Sequence, residues 1–418
     1  MRPQLILCAA ALAVLALLGV ACGSSADESA LVQTDSTGPV PTVVAAAEPV
    51  VVQSTTTIPP TTTIPPTTTS MPTAAECAAE VPLDVRVGQL IFPLAVQAEL
   101  PRAAELALGG HLGGIVLIGN PSSAITADIA SMQSMSLLGP MIVAVDEEGG
   151  RVQRLSNLTS AVPSAGSVGA EQTLEQAQTL ARDHASAIGE LGFTMNLAPV
   201  ADLNNGGFIG NRSFGSDAAT VTDYAFATAD GILEAGLTPV IKHFPGHGRG
   251  TDSHTGLPTL PGLDVLRADD LIPFVHAAER GDVPIMIGHL VVPGLTNGKP
   301  ATLSPAAIDG LLRDELGFDG LVMTDAFNMD AISATTSNPD AAEQALAAGV
   351  DLVMLGGLNE VEATVAQVVA AVDAGRLDEA TITESFLRVL ETRDLTMCAL
   401  PEDLRPGIGC DAEATGCG

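Results

Sequence analysis

Between Gln89 and Leu355 the chain repeats one pattern eight times: a short apolar run rich in Val, Ile and Leu, then a longer Ala-rich stretch of helical character. The runs are Gln89–Phe92, a weak first, then Gly114–Ile118, Met141–Val145, Thr194–Val200, Thr238–Ile241, Val283–Ile287, Gly320–Met323 and Asp351–Leu355. A strand that is apolar throughout is buried on both faces, and strands that alternate with helices run parallel. Eight such units over roughly 320 residues predict an α/β fold, a single (β/α)8 barrel of the TIM type. A doubly wound open sheet is the alternative, because periodicity counts strands without showing closure.

The ends of the 418-residue chain have a different composition. Residues 1–21 carry one basic residue, Arg2, an apolar run from Leu5 to Val20 and a small-residue approach to Cys22, the pattern of an export signal followed by a lipid-attachment cysteine. A membrane-spanning helix is the alternative, but the run is somewhat short of the roughly 20 apolar residues that spanning needs. Residues 22–75 are rich in Ser, Thr, Pro, Ala and Val, and repeat TTTIPP at Thr55–Pro60 and Thr61–Pro66. Such a segment cannot build a core and reads as a disordered, extended spacer. The barrel domain is then 76–418, with a Cys-containing tail. An exported protein, held on the outer face of the membrane by lipid on Cys22 or else secreted, is expected. Cys77, Cys398, Cys410 and Cys417 can form two disulfides there, with three connectivities open.

Net charge is −32, which excludes nucleic acid and an anionic membrane face as partners. A lipid is the one membrane contact expected, and a monomer the expected state. With no Trp and one Tyr, Tyr224, the chain lacks the aromatic platforms that grip long polysaccharides, which favours a small end-binding pocket.

Five of the runs end in ionisable groups: Asp146-Glu147-Glu148 after Val145, Asp202 after Val200, Lys242-His243 after Ile241, His289 after Ile287, and Asp325 after Met323. In a parallel barrel these tips share one rim, where the chemistry of such folds is found. Asp202 alone reads equally well as a helix N-cap. The densest stretch, Lys242 to His254 (KHFPGHGRGTDSH), holds three of the seven histidines and one of the two lysines. His243, His247, Asp252 and His254 are metal-ligand types, yet they fit neither HExxH nor a Cys/His zinc spacing, so no metal is expected. GxSxG, GxGxxG and a P-loop are absent, which leaves a carboxylate as the nucleophile and implies no organic cofactor.

Six ordered motifs carry a resemblance: VDEEGGRVQRL (Val145–Leu155), NLAPVADL (Asn196–Leu203), GNRSFGSD (Gly210–Asp217), KHFPGHG with DSH (Lys242–His254), GHLVVPGL (Gly288–Leu295) and VMTDAFNMDAI (Val322–Ile332). From about Val85 to Leu390 the chain resembles the β-N-acetylglucosaminidases of glycoside hydrolase family 3. The resemblance implies that Asp325 is the nucleophile and His254 the acid/base, tuned by Asp252. It places Asp146, Arg154, Arg212, Lys242 and His243 on the terminal sugar. Arg212 has a structural ion-pair role as its alternative, His247 and His289 read as shaping the site, and Met329 as packing. The implied activity is retaining exo-cleavage of terminal N-acetylglucosamine from a small amino-sugar glycoside or muropeptide. A β-glucosidase or xylosidase of the same family is the near alternative, and a non-catalytic muropeptide-binding lipoprotein the distant one. One departure from the family pattern stands out: Arg249-Gly250-Thr251 place three residues, not about four, between GHG and DSH. A His in place of a carboxylic acid also leaves phosphate able to compete with water as acceptor. At the other end of the chain Leu18-Gly19-Val20-Ala21-Cys22 resembles a bacterial lipobox, with Gly19 where an aliphatic residue is usual.

Overall fold

In the computed structural model, residues 73–397, 400–401 and 404 are described. The export signal, Cys22, nearly all of the spacer, Cys398, Cys410 and Cys417 lie outside them. Thr73 closes a capping box over the helix Ala74–Ala78, in which Cys77 is buried and disulfide-bonded.

The strands are β1 (Leu94–Ala95), β2 (Gly114–Leu117), β3 (Ile142–Val145), β4 (Glu147–Gly149), β5 (Val152–Gln153), β6 (Met195–Asn196), β7 (Thr238–Pro239), β8 (Ile241–Phe244), β9 (Ile285–Ile287) and β10 (Val322–Thr324). One parallel sheet runs β1-β2-β3-β6-β7 and a second runs β10-β9-β8, while β4 and β5 form an antiparallel hairpin. The parallel α/β architecture expected from the alternating pattern is therefore present, but the described strands pair as two sheets, not as one continuous closed sheet. Registers keep the carboxyl ends level: Leu117 lies beside Val145, Val145 beside Asn196, and Asn196 beside Pro239. In the second sheet Thr324 and Phe244 both lie beside Ile287. The residues that follow these ends are thus gathered on one side of each sheet.

Boundaries depart most from the apolar runs at four places, one of them Thr238–Ile241, which divides between β7 and β8 in different sheets. Gln89 closes the helix Leu83–Gln89, and the first strand lies further on at Leu94–Ala95. A short apolar run fits a helix end as well as a strand, which is why the pattern misplaced it. In Thr194–Val200 only Met195 and Asn196 stay in the ladder, because Pro199 has no N–H to offer, and Val200 bridges separately to Lys242. Asp351–Leu355 contributes single bridges, Leu352 to Met323 and Val353 to Ile91.

The helices bury one stripe each. In Leu174–Glu190 the buried Ala177, His184, Ala185 and Ile188 recur at helical spacing, and the helix packs on Ala218–Glu234, capped by Asp217. β2, β3 and β8 are buried along their whole length, so the sheets form the centre of the core.

Candidate active site

The turn after β3 shows how alternation sorts three consecutive acids. In the β4–β5 hairpin side chains alternate between faces. Glu147 points inward, where its carboxylate accepts from the Leu155 N–H at 2.5 Å and meets His184 Nε2 at 2.8 Å. Asp146 and Glu148 point the other way, toward a cleft of about 400 Å³. Gly149 and Gly150 make the turn at positive φ, and a Cβ on Gly149 would stand 2.4 Å from the Pro163 carbonyl oxygen.

Lys242 and His243 lie within β8, not in the loop beyond it. The peptide between them is cis, and the pairing with β9 shifts register between Lys242 and Phe244. Lys242 Nζ donates to Asp146 Oδ1 at 2.7 Å and stands 2.7 Å from Glu148 Oε1. Arg212 grips Glu148 with two bonds, of 2.7 and 2.8 Å. Burial opposes the charge on Glu148, but Lys242 and Arg212 outweigh it and hold the carboxyl far below its ordinary range. Burial likewise opposes the charges on Lys242 and Arg212, and their carboxylate partners raise both above the ordinary range. The result is a buried polar floor of fixed geometry, in which Arg212 is both an ion-pair partner and part of the cleft wall.

His243 is oriented from behind. Its Nδ1–H donates to Asp202 Oδ2 at 2.6 Å, and its backbone N–H donates to Asp202 Oδ1 at 3.2 Å. Asp202 is fully buried and also accepts the His247 N–H at 2.6 Å, so it braces the site and does not cap a helix. With Nδ1 committed, Nε2 faces Asp325, 4.0 Å from Oδ2. Asp325 follows β10; its N–H donates to the Ile287 carbonyl and its Oδ1 accepts from the Ala326 N–H. Burial pushes the Asp325 carboxyl up, but His243 and His289 prevail and keep it ionised below the ordinary range.

Across the cleft stands His254, 60% exposed, in the turn Ser253–Thr255. Asp252 caps that turn: its Oδ1 takes the His254 N–H at 3.0 Å and lies 2.8 Å from Nδ1. Nε2 is therefore the free nitrogen of this pair. Burial is the largest single influence on the Asp252 carboxyl and raises it, but the hydrogen bonds and charge of His254 together bring it below its ordinary value.

The structure brings Asp146, Arg154, Arg212, Lys242, His243, His254 and Asp325 to the lining of one cleft, while Asp252 holds His254 from outside that lining. Arg154 is exposed there. His289 is buried and committed to Thr302 Oγ1 and the Ala326 carbonyl, which fixes the turn after Asp325. Met329 lines the cleft and takes the Ser253 hydroxyl at 3.4 Å. The sequence singled out neither Glu148, the hub of the floor, nor Arg151, which donates to the Phe208 carbonyl and lies over its ring. The signal for Glu148 was the strand-period alternation within Asp146–Glu148. Among the described residues, no group of three or more His, Cys, Asp or Glu side chains could hold a metal ion.

An anionic carboxylate, an imidazole with one free nitrogen and a floor of paired charges together suit displacement at a polar, neutral centre with proton transfer to and from oxygen. Comparison with known proteins gives the family of the chain. The model of the glycosyl hydrolase family 3 N-terminal domain matches residues 82–392. The Beta-hexosaminidase LpqI of Mycobacterium tuberculosis is 43% identical over 292 residues, 67% of this chain and 75% of that protein. Its solved structure superposes with a TM-score of 0.72 at 37% identity, covering 82% of this chain and 99% of that one. A family 3 β-N-acetylglucosaminidase from Paenibacillus sp. str. FPU-7 gives a TM-score of 0.71 at 35% identity, over 75% of this chain and 62% of that one.

Proposed function

The chain belongs to glycosyl hydrolase family 3, and from that premise we propose that it is a retaining exo-β-N-acetylhexosaminidase that removes terminal N-acetylglucosamine. The observation that carries this reading is the meeting, in one cleft, of an ionised Asp325 4.0 Å from His243 Nε2 with the His254–Asp252 pair. In the first step Asp325 Oδ2 attacks the anomeric carbon. The bond to the leaving oxygen breaks, and the proton of His254 Nε2 passes to that oxygen. In the second, His254 takes a proton from water, the water oxygen bonds to the anomeric carbon, and the ester to Asp325 breaks. Asp252 holds the ring at Nδ1 and so fixes Nε2 as the nitrogen that carries the shuttled proton. Asp146, Arg154, Arg212, Lys242 and His243 hold the sugar's hydroxyls and acetamido group.

Three further parts belong to this proposal. The two sheets close into a (β/α)8 barrel, a reading supported by the bridges Val200–Lys242, Met323–Leu352 and Ile91–Val353, which link the ends of the two sheets. The signal and Cys22 take the protein to the outer face of the membrane. Peptidoglycan fragments are the substrate available at that address.

The test uses nitrophenyl glycosides with wild type and Asp325→Ala. Wild type is expected to turn over the N-acetylglucosaminide well and the glucoside poorly, and the variant is expected to bind N-acetylglucosamine without turnover. Equal hydrolysis by both proteins, or preference for the glucoside, would sink the reading.

A further inference from the structure

Two buried histidines line the cleft, His243 and His247, and a third, His289, lies behind it; they differ in one respect. His243 has its Nδ1 on Asp202, and His289 has both nitrogens satisfied. His247 is 4% exposed, forms part of the cleft wall, and neither of its ring nitrogens has a hydrogen-bond partner among the described residues. A buried polar atom without a partner is costly, and a phenyl ring of similar size would fill the same place beside His243, 5.8 Å away between ring centroids, at no such cost.

The backbone around His247 is fixed, so the ring is the only part free to respond. Its N–H is held by Asp202 Oδ1 at 2.6 Å, and its carbonyl accepts from Gly250 at 2.8 Å. A Cβ on the next residue, Gly248, would lie 1.8 Å from the Leu203 carbonyl oxygen, so the loop is pressed against its neighbour. Burial pushes the imidazole down to about 4, against the pull of Asp202 and Asp325, so the ring is neutral at ordinary pH. A neutral imidazole offers one donor and one acceptor, which is the complement of a hydroxyl and not of an ion.

We infer that His247 is a specificity-determining contact that hydrogen-bonds one hydroxyl of the terminal sugar when the cleft is filled. A small rotation of the ring about its Cβ–Cγ bond presents a nitrogen to the occupant. The inference rests on the cleft being a sugar pocket, and it assigns His247 a contact distinct from shaping the wall.

The experiment is a double-mutant cycle between residue and ligand. Wild type, His247→Phe and His247→Gln are assayed on nitrophenyl β-N-acetylglucosaminide and on its 3-, 4- and 6-deoxy forms, with the melting midpoint of each protein measured alongside. Wild type is expected to lose on the order of tenfold in kcat/KM on one deoxy substrate, and His247→Phe to lose about the same on the parent but nothing more on that deoxy form. His247→Gln recovers part of the loss, and His247→Phe melts no lower than wild type. Losses that multiply on all three deoxy substrates, or a lowered melting midpoint with a uniform loss, overturn the inference and leave His247 a packing residue. If wild type turns over none of these substrates, the reading of the reaction fails on its own. The coupling is then read from the dissociation constants of N-acetylglucosamine and its deoxy forms by calorimetry, with the same two outcomes.

Discussion

Replacing Glu148 by Gln keeps the volume and removes the charge that joins Arg212 to Lys242. Both partners are buried, with side chains 14% and 3% exposed, and Glu148 itself is 3% exposed, so solvent cannot replace what is lost. Removing one member of a buried ion pair costs about 3–5 kcal/mol, since the remaining charge is left uncompensated. Asp146 still holds Lys242, and a Gln oxygen can still accept one bond, so the lower end, about 3 kcal/mol, is expected here. Spread over the unfolding entropy of roughly 320 residues, about 0.7 kcal/mol/K, that corresponds to a melting midpoint lower by roughly 4–5 °C. The sign of the pH dependence follows from the depressed carboxyl of Glu148. Its contribution is fully present above the unfolded glutamate pKa of about 4.3 and declines as pH falls toward the far lower folded value. The gap between wild type and variant should therefore be constant from pH 7 to pH 5 and narrow below about pH 4. Thermal unfolding followed by circular dichroism at pH 7, 5 and 3.5 measures it. A variant that melts within a degree of wild type at pH 7 would refute the reasoning, because the floor would then owe its geometry to packing and not to charge.

Asp252→Asn keeps a capping residue for the turn but removes the carboxylate that orients the His254 ring through Nδ1, so kcat on a poor leaving group should fall on the order of 10²-fold. Hydrolysis of the dinitrophenyl glycoside, which needs little acid help, should keep its burst phase near the wild-type rate; an equal loss on both would contradict the role. His247, held near pKa 4, binds its proton more weakly folded than unfolded, so stability should decline as pH falls from about 6.5 to about 4, by at most about 3 kcal/mol. Urea melts of wild type and His247→Phe across that range should show the shallower slope in the variant. In phosphate buffer a sugar 1-phosphate should form beside free N-acetylglucosamine, and phosphorus NMR that finds none would reject phosphate as an acceptor.

Much of this site was legible because its chemistry stands next to its support in the chain. Lys242 and His243 follow an apolar run directly, and Asp325 follows another, so a reader of the sequence could place all three at strand ends. What could not be read was anything fixed by partners far along the chain. Asp202 holds His243 across 41 residues, and nothing local distinguishes its carboxylate from a helix cap; the local alternation gives the face of Glu148 but not its grip on Arg212 across 64 residues. The same limit applies to the fold. Apolar runs mark where strands are buried, but proline and the end of a helix decide where pairing starts, as at Pro199 and Gln89.

The shortened spacer before His254 shows what local geometry can settle. Upstream, the stem is held by bonds from Gly207 and Phe208 to the carbonyls of Gly248 and Gly250, and by Arg249 on Asp270 at 2.7 Å. Downstream, Thr259 bridges to Val291 and the Leu260 N–H donates to its carbonyl. Residues 251–258 thus span two fixed posts. The pairing of His254 with Asp252 needs neither post, because one carboxylate oxygen takes both the backbone N–H and contact with Nδ1 of a residue two positions on. A spacer one residue shorter therefore changes where the pair stands over the cleft and leaves the pair itself intact. The part of the proposed acid/base pair that depends on spacer length is its reach toward Asp325, and Arg249, one of the three spacer residues, anchors the stem from which the pair extends.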